Sequence, residues 1–203
     1  MFEHTPAYAG DPILSLNEDF QRDSRTQKVN LSIGIYFDDA GRLPVLQAVQ
    51  KTELSMTGPA GEGPRPYLPM AGHPAYREAV QGLVFGQGSR AVQEQRVATV
   101  QTLGGSGALK VGADLLRRLF PQSEVWISDP SWENHRVVFE GSGFKVHTYP
   151  YYDSSTGGLR FGDMMAAIRA LPARSIVLLH ACCHNPTGVD LSDEQWRALI
   201  PVL

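Results

Sequence analysis

Hydrophobic and polar positions change their period several times along this chain. Residues 1–30 are polar and irregular, interrupted by Pro6, Gly10 and Pro12. They predict an arm followed by one short helix from Ile13 to Arg22. Val29 to Tyr36 alternates apolar and polar residues, which predicts a strand closed by a turn at Asp38-Asp39-Ala40-Gly41. Pro44 sits where a helix could start, with Val45, Leu46, Ala48 and Val49 at helical spacing. Residues 57–74 are dense in proline and glycine and predict a loop too long for a mere connector. A helix follows from Pro74 to about Phe85.

The second half repeats one rhythm. Val97 to Gln101 predicts a strand, and Ser106 to Phe120 a helix with Leu109, Ala113, Leu116 and Phe120 on one stripe. Val125 to Ile127 is β, Trp132 to Glu140 helical, Lys145 to Tyr149 β, and Gly162 to Leu171 helical. Ile176 to His180 is a continuous apolar β run. Ser192 to Gln195 has the form of a capping box opening a last helix. Strands alternating with helices mean βαβ units, hence an α/β fold with a largely parallel sheet covered on both faces. No strand follows the last helix, so the rhythm points to the front part of a longer protein; a domain ending on that helix is the alternative.

Composition narrows the class. The 203 residues are 42% hydrophobic and carry 18 Lys+Arg against 21 Asp+Glu. That is too apolar and too weakly charged for a disordered chain. No apolar run reaches the roughly 18 residues of a membrane helix, and no basic field favours nucleic acid. The start lacks the basic-then-apolar form of a secretory signal. The length allows one domain, or one and a piece of another. Cys182 and Cys183 are the only two cysteines and adjacent, a poor geometry for an ordinary disulfide. A reducing compartment, the cytoplasm, is expected.

Ligands of open α/β sheets sit at the carboxyl ends of the strands. After the first predicted strand comes Thr102-Leu103-Gly104-Gly105-Ser106-Gly107-Ala108. Glycines allow close approach, and a helix opening at Ser106 offers free N–H groups and a positive dipole end to an anion. An ordinary glycine-rich turn capped by Ser reads the same way. It is not a Walker loop, because Lys110 comes four residues after Ser106 without a following Ser or Thr. After the second strand, Ser131-Trp132-Glu133-Asn134-His135 offers a stacking face; a core Trp and a surface His are the alternative. After the fourth strand comes His180-Ala181-Cys182-Cys183-His184-Asn185-Pro186-Thr187-Gly188. Its spacing is not that of a zinc site, so no metal is expected, and the cysteines read as small core residues. Asn185-Pro186 and Asp129-Pro130 are both expected to be cis. Together the three strand ends suit a planar, phosphorylated, aromatic cofactor.

These segments, with Asn30 to Tyr36 and Tyr67-Leu68-Pro69-Met70, resemble the aspartate/aromatic-amino-acid aminotransferase family. The resemblance runs from Phe2 to Leu203 and looks closest to the bacterial tyrosine/aromatic branch. It implies the pyridoxal 5′-phosphate (PLP) fold type I scaffold, with 1–44 as N-terminal arm and small-domain segment. Residues 45–203 would be the N-terminal part of the large PLP-binding domain. It implies that Gly105 and Ser106 hold the phosphate, Trp132 stacks on the pyridine ring, and Asn185 donates to the ring's phenolic oxygen. His135 would orient an aspartate that holds the pyridine nitrogen. Gly34 would meet the substrate carboxylate, with Trp132 and Asn185 also lining the substrate. Tyr67 would reach the phosphate in the partner of a homodimer, and the arm 1–12 would embrace that partner.

The family's Schiff-base lysine lies downstream of Pro186-Thr187-Gly188, and none of the four lysines here, Lys28, Lys51, Lys110 and Lys145, matches it. The implied activity of the intact protein is transfer of an α-amino group between an aromatic or dicarboxylic amino acid and a 2-oxo acid such as 2-oxoglutarate. This chain alone is expected to be inactive. The alternatives are a non-catalytic module that binds a phosphate ligand, and another PLP reaction such as β-elimination or decarboxylation.

Overall fold

The computed structural model describes residues 3–4, 12–30, 32, 34–57 and 66–203. The chain divides into two units, residues 1–66 and 67–203.

The first unit holds α1 (Pro12–Arg22) and α2 (Gln47–Thr57). The expected turn is present: Gly41 N–H donates to the Asp38 carbonyl at 2.8 Å, and the Asp38 carboxylate accepts Ala40 N–H at 3.0 Å. The strand expected over 29–36 falls partly on Leu31 and Ile33, outside the described residues, and its described residues form no strand. Most of the arm 1–12 and residues 58–65 of the long loop also lie outside them. The helix expected from Pro44 starts three residues later, with the Leu46 carbonyl accepting Gln50 N–H.

The second unit opens with a turn in which Gly72 N–H donates to Pro69 at 2.7 Å. Then come α3 (Pro74–Phe85), as expected, and the single turn α4 (Arg90–Gln93). The strand expected over Val97–Gln101 does not form. Its backbone meets no neighbouring strand: Gln101 N–H donates to Ala71 at 3.0 Å, and Gln81 of α3 reaches the Val97 carbonyl and the Thr99 hydroxyl. Side chains of a helix take the places that a ladder would fill.

From here the alternation holds. α5 (Gly104–Leu119) begins two residues before Ser106, because Gly104 at φ +62° turns the chain into the helix. β1 (Val125–Asp129), α6 (Glu133–Gly141) and β2 (Val146–Pro150) follow. A short hairpin of β3 (Tyr152–Asp153) and β4 (Gly158–Leu159) was not legible in the pattern. Next are α7 (Phe161–Arg169), β5 (Ile176–Val177), α8 (Asp193–Leu199) and a closing 3₁₀ turn at Ile200–Val202. β5 is shorter than the apolar run to His180, although Leu178 N–H still reaches the Trp126 carbonyl at 2.9 Å. The capping box of α8 is present in full.

β1, β2 and the two-residue β5 form one parallel sheet in the order β2-β1-β5. Side chains alternate across it. Val125 and Ile127 of β1 face one core with Ala113 of α5, Phe139 of α6 and Phe144. Trp126 faces the other core, built from Tyr149, Tyr151, Met164, Met165, Ile168, Leu191 and Leu199. Helices therefore cover both faces, α5 and α6 on one side, α7 and α8 on the other. That arrangement leaves the carboxyl ends of β1, β2 and β5 on one common edge.

Candidate functional site

Two proline turns leave that edge. β1 runs into Asp129-Pro130, and β5 leads through His180 to Asn185-Pro186; both bonds are cis, as expected. Trp132 ends the first turn as the residue preceding α6, half-buried, with its ring edge-on to His135 at 5.3 Å. From His135 the rings continue to His180 at 5.1 Å and on to His184 at 4.4 Å. Tyr151 lies flat on His184, centroids 3.9 Å apart.

Hydrogen bonds fix most of this array. His135 Nδ1 pairs with the Ser131 hydroxyl at 2.8 Å. His184 Nε2 pairs with Ser128 Oγ at 2.9 Å and its Nδ1 with Thr187 Oγ1 at 2.8 Å. The Asp190 carboxylate accepts the N–H groups of Cys183 and His184 at 2.7 and 2.8 Å. The Tyr151 hydroxyl donates to the Val189 carbonyl, and that of Tyr149 to Leu178. His180 Nδ1 is buried without a hydrogen-bond partner, a polar atom left open at the strand edge.

Burial sets the charge state. His135 and His184 are 6% and 2% exposed. Burial pushes both imidazoles down to about 4, helped by the neighbouring His180. Burial also lowers His180, against the pull of Asp190. The two backbone N–H bonds, His184's first, hold Asp190 below the usual carboxylate range. Burial raises Tyr151 to about 12, with Asp190 adding to it, and raises Tyr149 further. The cluster is therefore a set of neutral rings and one anchored carboxylate near pH 7.

α5 brings the third element. Its C-terminal end joins β1 through residues 120–124, and it packs on the β1 face through Ala113. A 16-residue helix is about 24 Å long, so its start lies toward the carboxyl end of β1. No side chain caps this start. A Cβ built on Gly105 would meet nothing within 4 Å, so packing does not require glycine there. Glycine in a helix costs about 0.5–1 kcal/mol; close approach of a ligand to the free N–H groups of Gly105 and Ser106 is what it permits.

Of the expected site residues, Trp132, His135 and Asn185 thus follow the carboxyl ends of β1 and β5, and Gly105 and Ser106 stand in the first turn of α5. Tyr67 opens the second unit, fully exposed. Gly34 lies in the first unit, exposed and outside any helix or strand. His135 is buried, which sets aside the alternative of a surface histidine. One expectation is overturned. Cys182 and Cys183 are not core residues: both are exposed, because Cys183 takes φ +54° and turns the chain outward. Among the described residues, no group of three or more His, Cys, Asp or Glu is placed to hold a metal ion. A cavity of about 260 Å³ lies at the opposite edge, beside Glu124 and Ser175, and holds none of these residues.

The sequence model of the family described as "Aminotransferase class I and II" matches residues 26–203. The chain belongs to that family. It is 57% identical, over all its 203 residues, to the aromatic-amino-acid aminotransferase of Escherichia coli (strain K12), covering 51% of that protein. All of the chain superposes on half of an aromatic amino acid aminotransferase from Burkholderia cenocepacia J2315, with TM-score 0.94 and 67% identity. The corresponding figures for the Burkholderia pseudomallei aromatic-amino-acid aminotransferase, solved covalently bound to pyridoxal phosphate, are 0.94 and 49%. The fold is therefore the front part of the fold type I aminotransferase architecture. The chain spans about half the length of the relatives it matches.

His180, His184, Ser128, Tyr151 and Asp190 meet as partners that the sequence pattern does not disclose. Nothing in the spacing of Ser128 and His184, 56 residues apart, shows that they meet.

Proposed function

We propose that the whole protein carrying this chain transfers an α-amino group between an aromatic or dicarboxylic amino acid and a 2-oxo acid such as 2-oxoglutarate, with PLP as cofactor. The observation that supports the reading is the pair of cis-proline turns that carry Trp132 and Asn185 off one sheet edge, and the uncapped glycine-rich start of α5 is consistent with it. The residues fit the cofactor's chemistry: open N–H groups for a phosphate, a flat indole for a planar ring, an amide for a phenolic oxygen. Bound there, PLP supplies an electron sink for the electron pair left at the substrate Cα.

In this reading Gly105 and Ser106 bind the phosphate through backbone N–H groups and the Ser hydroxyl. Trp132 covers one face of the pyridine ring and excludes water from it. Asn185 donates an amide N–H to the phenolic oxygen. His135, neutral and held by Ser131, orients the carboxylate that meets the pyridine nitrogen. Gly34 offers its N–H to the substrate carboxylate, beside Trp132 and Asn185. The protein acts as a homodimer in which Tyr67 reaches the partner's phosphate; its full exposure leaves it available. A cytoplasmic location belongs to the same reading, and the two free thiols suit a reducing compartment.

The test is an assay of the whole protein with 2-oxoglutarate and a panel of amino donors. Glutamate formation from tyrosine, phenylalanine or aspartate supports the reading. Release of ammonia or carbon dioxide without amino transfer overturns it in favour of elimination or decarboxylation.

A further inference from the structure

We propose that His184 is a positioning residue: its imidazole ties the two proline turns together and thereby fixes Asn185 and Trp132 relative to each other. The proposal rests on the functional reading above. The Nε2 bond to Ser128 crosses from the β5 loop to β1, one residue before the Asp129-Pro130 bond. The Nδ1 bond to Thr187 closes over the Asn185-Pro186 bond. One ring thus holds both turns, and Asn185 is its immediate neighbour. The ring itself has no freedom: Tyr151 stacks on it, Asp190 grips its backbone N–H, and its carbonyl accepts Gly188 N–H at 2.7 Å. Its surroundings are His180, Tyr151, Ser128, Thr187 and Asp190, with His135 one ring farther. A neutral imidazole offers one donor and one acceptor, so two hydroxyls satisfy it. An exposed Asn185 on a loop has few restraints of its own; the buried neighbour supplies them.

The experiment uses the whole protein loaded with PLP. His184→Ala, Ser128→Ala, the double variant and His184→Gln are compared with the parent. Gln places an amide near the Nε2 position and can keep the Ser128 bond. The readouts are kcat, KM and the pH midpoint of the bound cofactor's visible absorbance. We expect His184→Ala and Ser128→Ala each to lower kcat about tenfold, with KM within about twofold. Each moves the absorbance midpoint by roughly half a pH unit, since the Asn185 donor is no longer aimed. The double variant is no worse than His184→Ala, and His184→Gln recovers most of the loss. Parental kcat and midpoint in His184→Ala overturn the proposal, as does a loss that Ser128→Ala does not share. If His184→Ala fails to fold, Ser128→Ala and His184→Gln decide by the same criteria. A parent that neither binds PLP nor transfers an amino group overturns the functional reading, and this proposal with it, before any variant is compared.

Discussion

Trp132 shows how a single residue acquires a role from its place. It sits between a strand end and a helix start, half-buried, with its edge against His135. In the proposed function its indole stacks on the cofactor ring. Replacing it with Ala in the whole protein is expected to weaken PLP binding by roughly 1–3 kcal/mol, the scale of a lost aromatic stack. An unchanged dissociation constant, measured by cofactor titration, would return Trp132 to a packing role. The histidines carry a second prediction. His135 and His184 lie near 4 in the folded state against an ordinary 6.5, chiefly through burial. As pH falls below 6.5 the unfolded chain takes up protons that the folded one refuses. Stability is then full above pH 6.5 and erodes down to about pH 4, at up to about 1.4 kcal/mol per pH unit for each ring. The carboxylates held below their ordinary values, Asp190 and Glu194 among them, add their losses from about pH 5 downward. Urea midpoints of the protein at pH 7, 6 and 5 read this directly. A flat profile across that range would show that the rings are not held neutral.

Elements were legible where local chemistry decides them and illegible where a distant partner does. α8 is the clearest case. Ser192 Oγ accepts Gln195 N–H at 3.3 Å, and the Gln195 side chain accepts Ser192 N–H at 2.8 Å. At its far end Leu199 is fully buried in the core. Ser192→Ala is expected to cost about 1 kcal/mol in urea unfolding; a loss under about 0.3 kcal/mol would remove the cap from the account. The Pro74 helix start was readable for a similar local reason, and so was the α5 stripe through Ala113 and Leu116; Phe120, expected on that stripe, lies just past the helix and is exposed. Val97–Gln101 was not. Its β-branched pattern states that a strand is affordable, not which strand will pair with it, and α3 side chains meet it instead. The β3–β4 hairpin is two residues per strand, below any periodic signal. Cys182 and Cys183 misled because alternation assumes extended chain, and Cys183 at φ +54° breaks it. The same break hid the histidine array. Residues around a left-handed turn no longer project by parity, so His184 could not be assigned its partner Ser128 from sequence.

At the scale of the whole chain, the question is whether these 203 residues contain an amine able to do the chemistry. Transamination needs a nucleophilic amine beside the cofactor and the substrate Cα, to bind one and move a proton at the other. Lys145 precedes β2 and pairs with Glu124, which precedes β1, at 3.4 Å. Both lie at the amino ends of the strands, the edge opposite Trp132 and Asn185. Lys110 is on the second turn of α5, ion-paired with Asp114. Lys28 is held by the carbonyls of Phe20 and Asp23 at 2.7 and 2.6 Å. Lys51 lies exposed on α2. We therefore expect the 203-residue chain, produced by itself, to show no amino transfer, while retaining weak, non-covalent affinity for PLP at the start of α5. Incubation with PLP, borohydride reduction and mass spectrometric mapping test this in one preparation. Scattered, sub-stoichiometric labelling of exposed lysines without turnover is the expected result. One lysine labelled stoichiometrically, together with glutamate formation from 2-oxoglutarate, would overturn it and place the catalytic amine inside this chain.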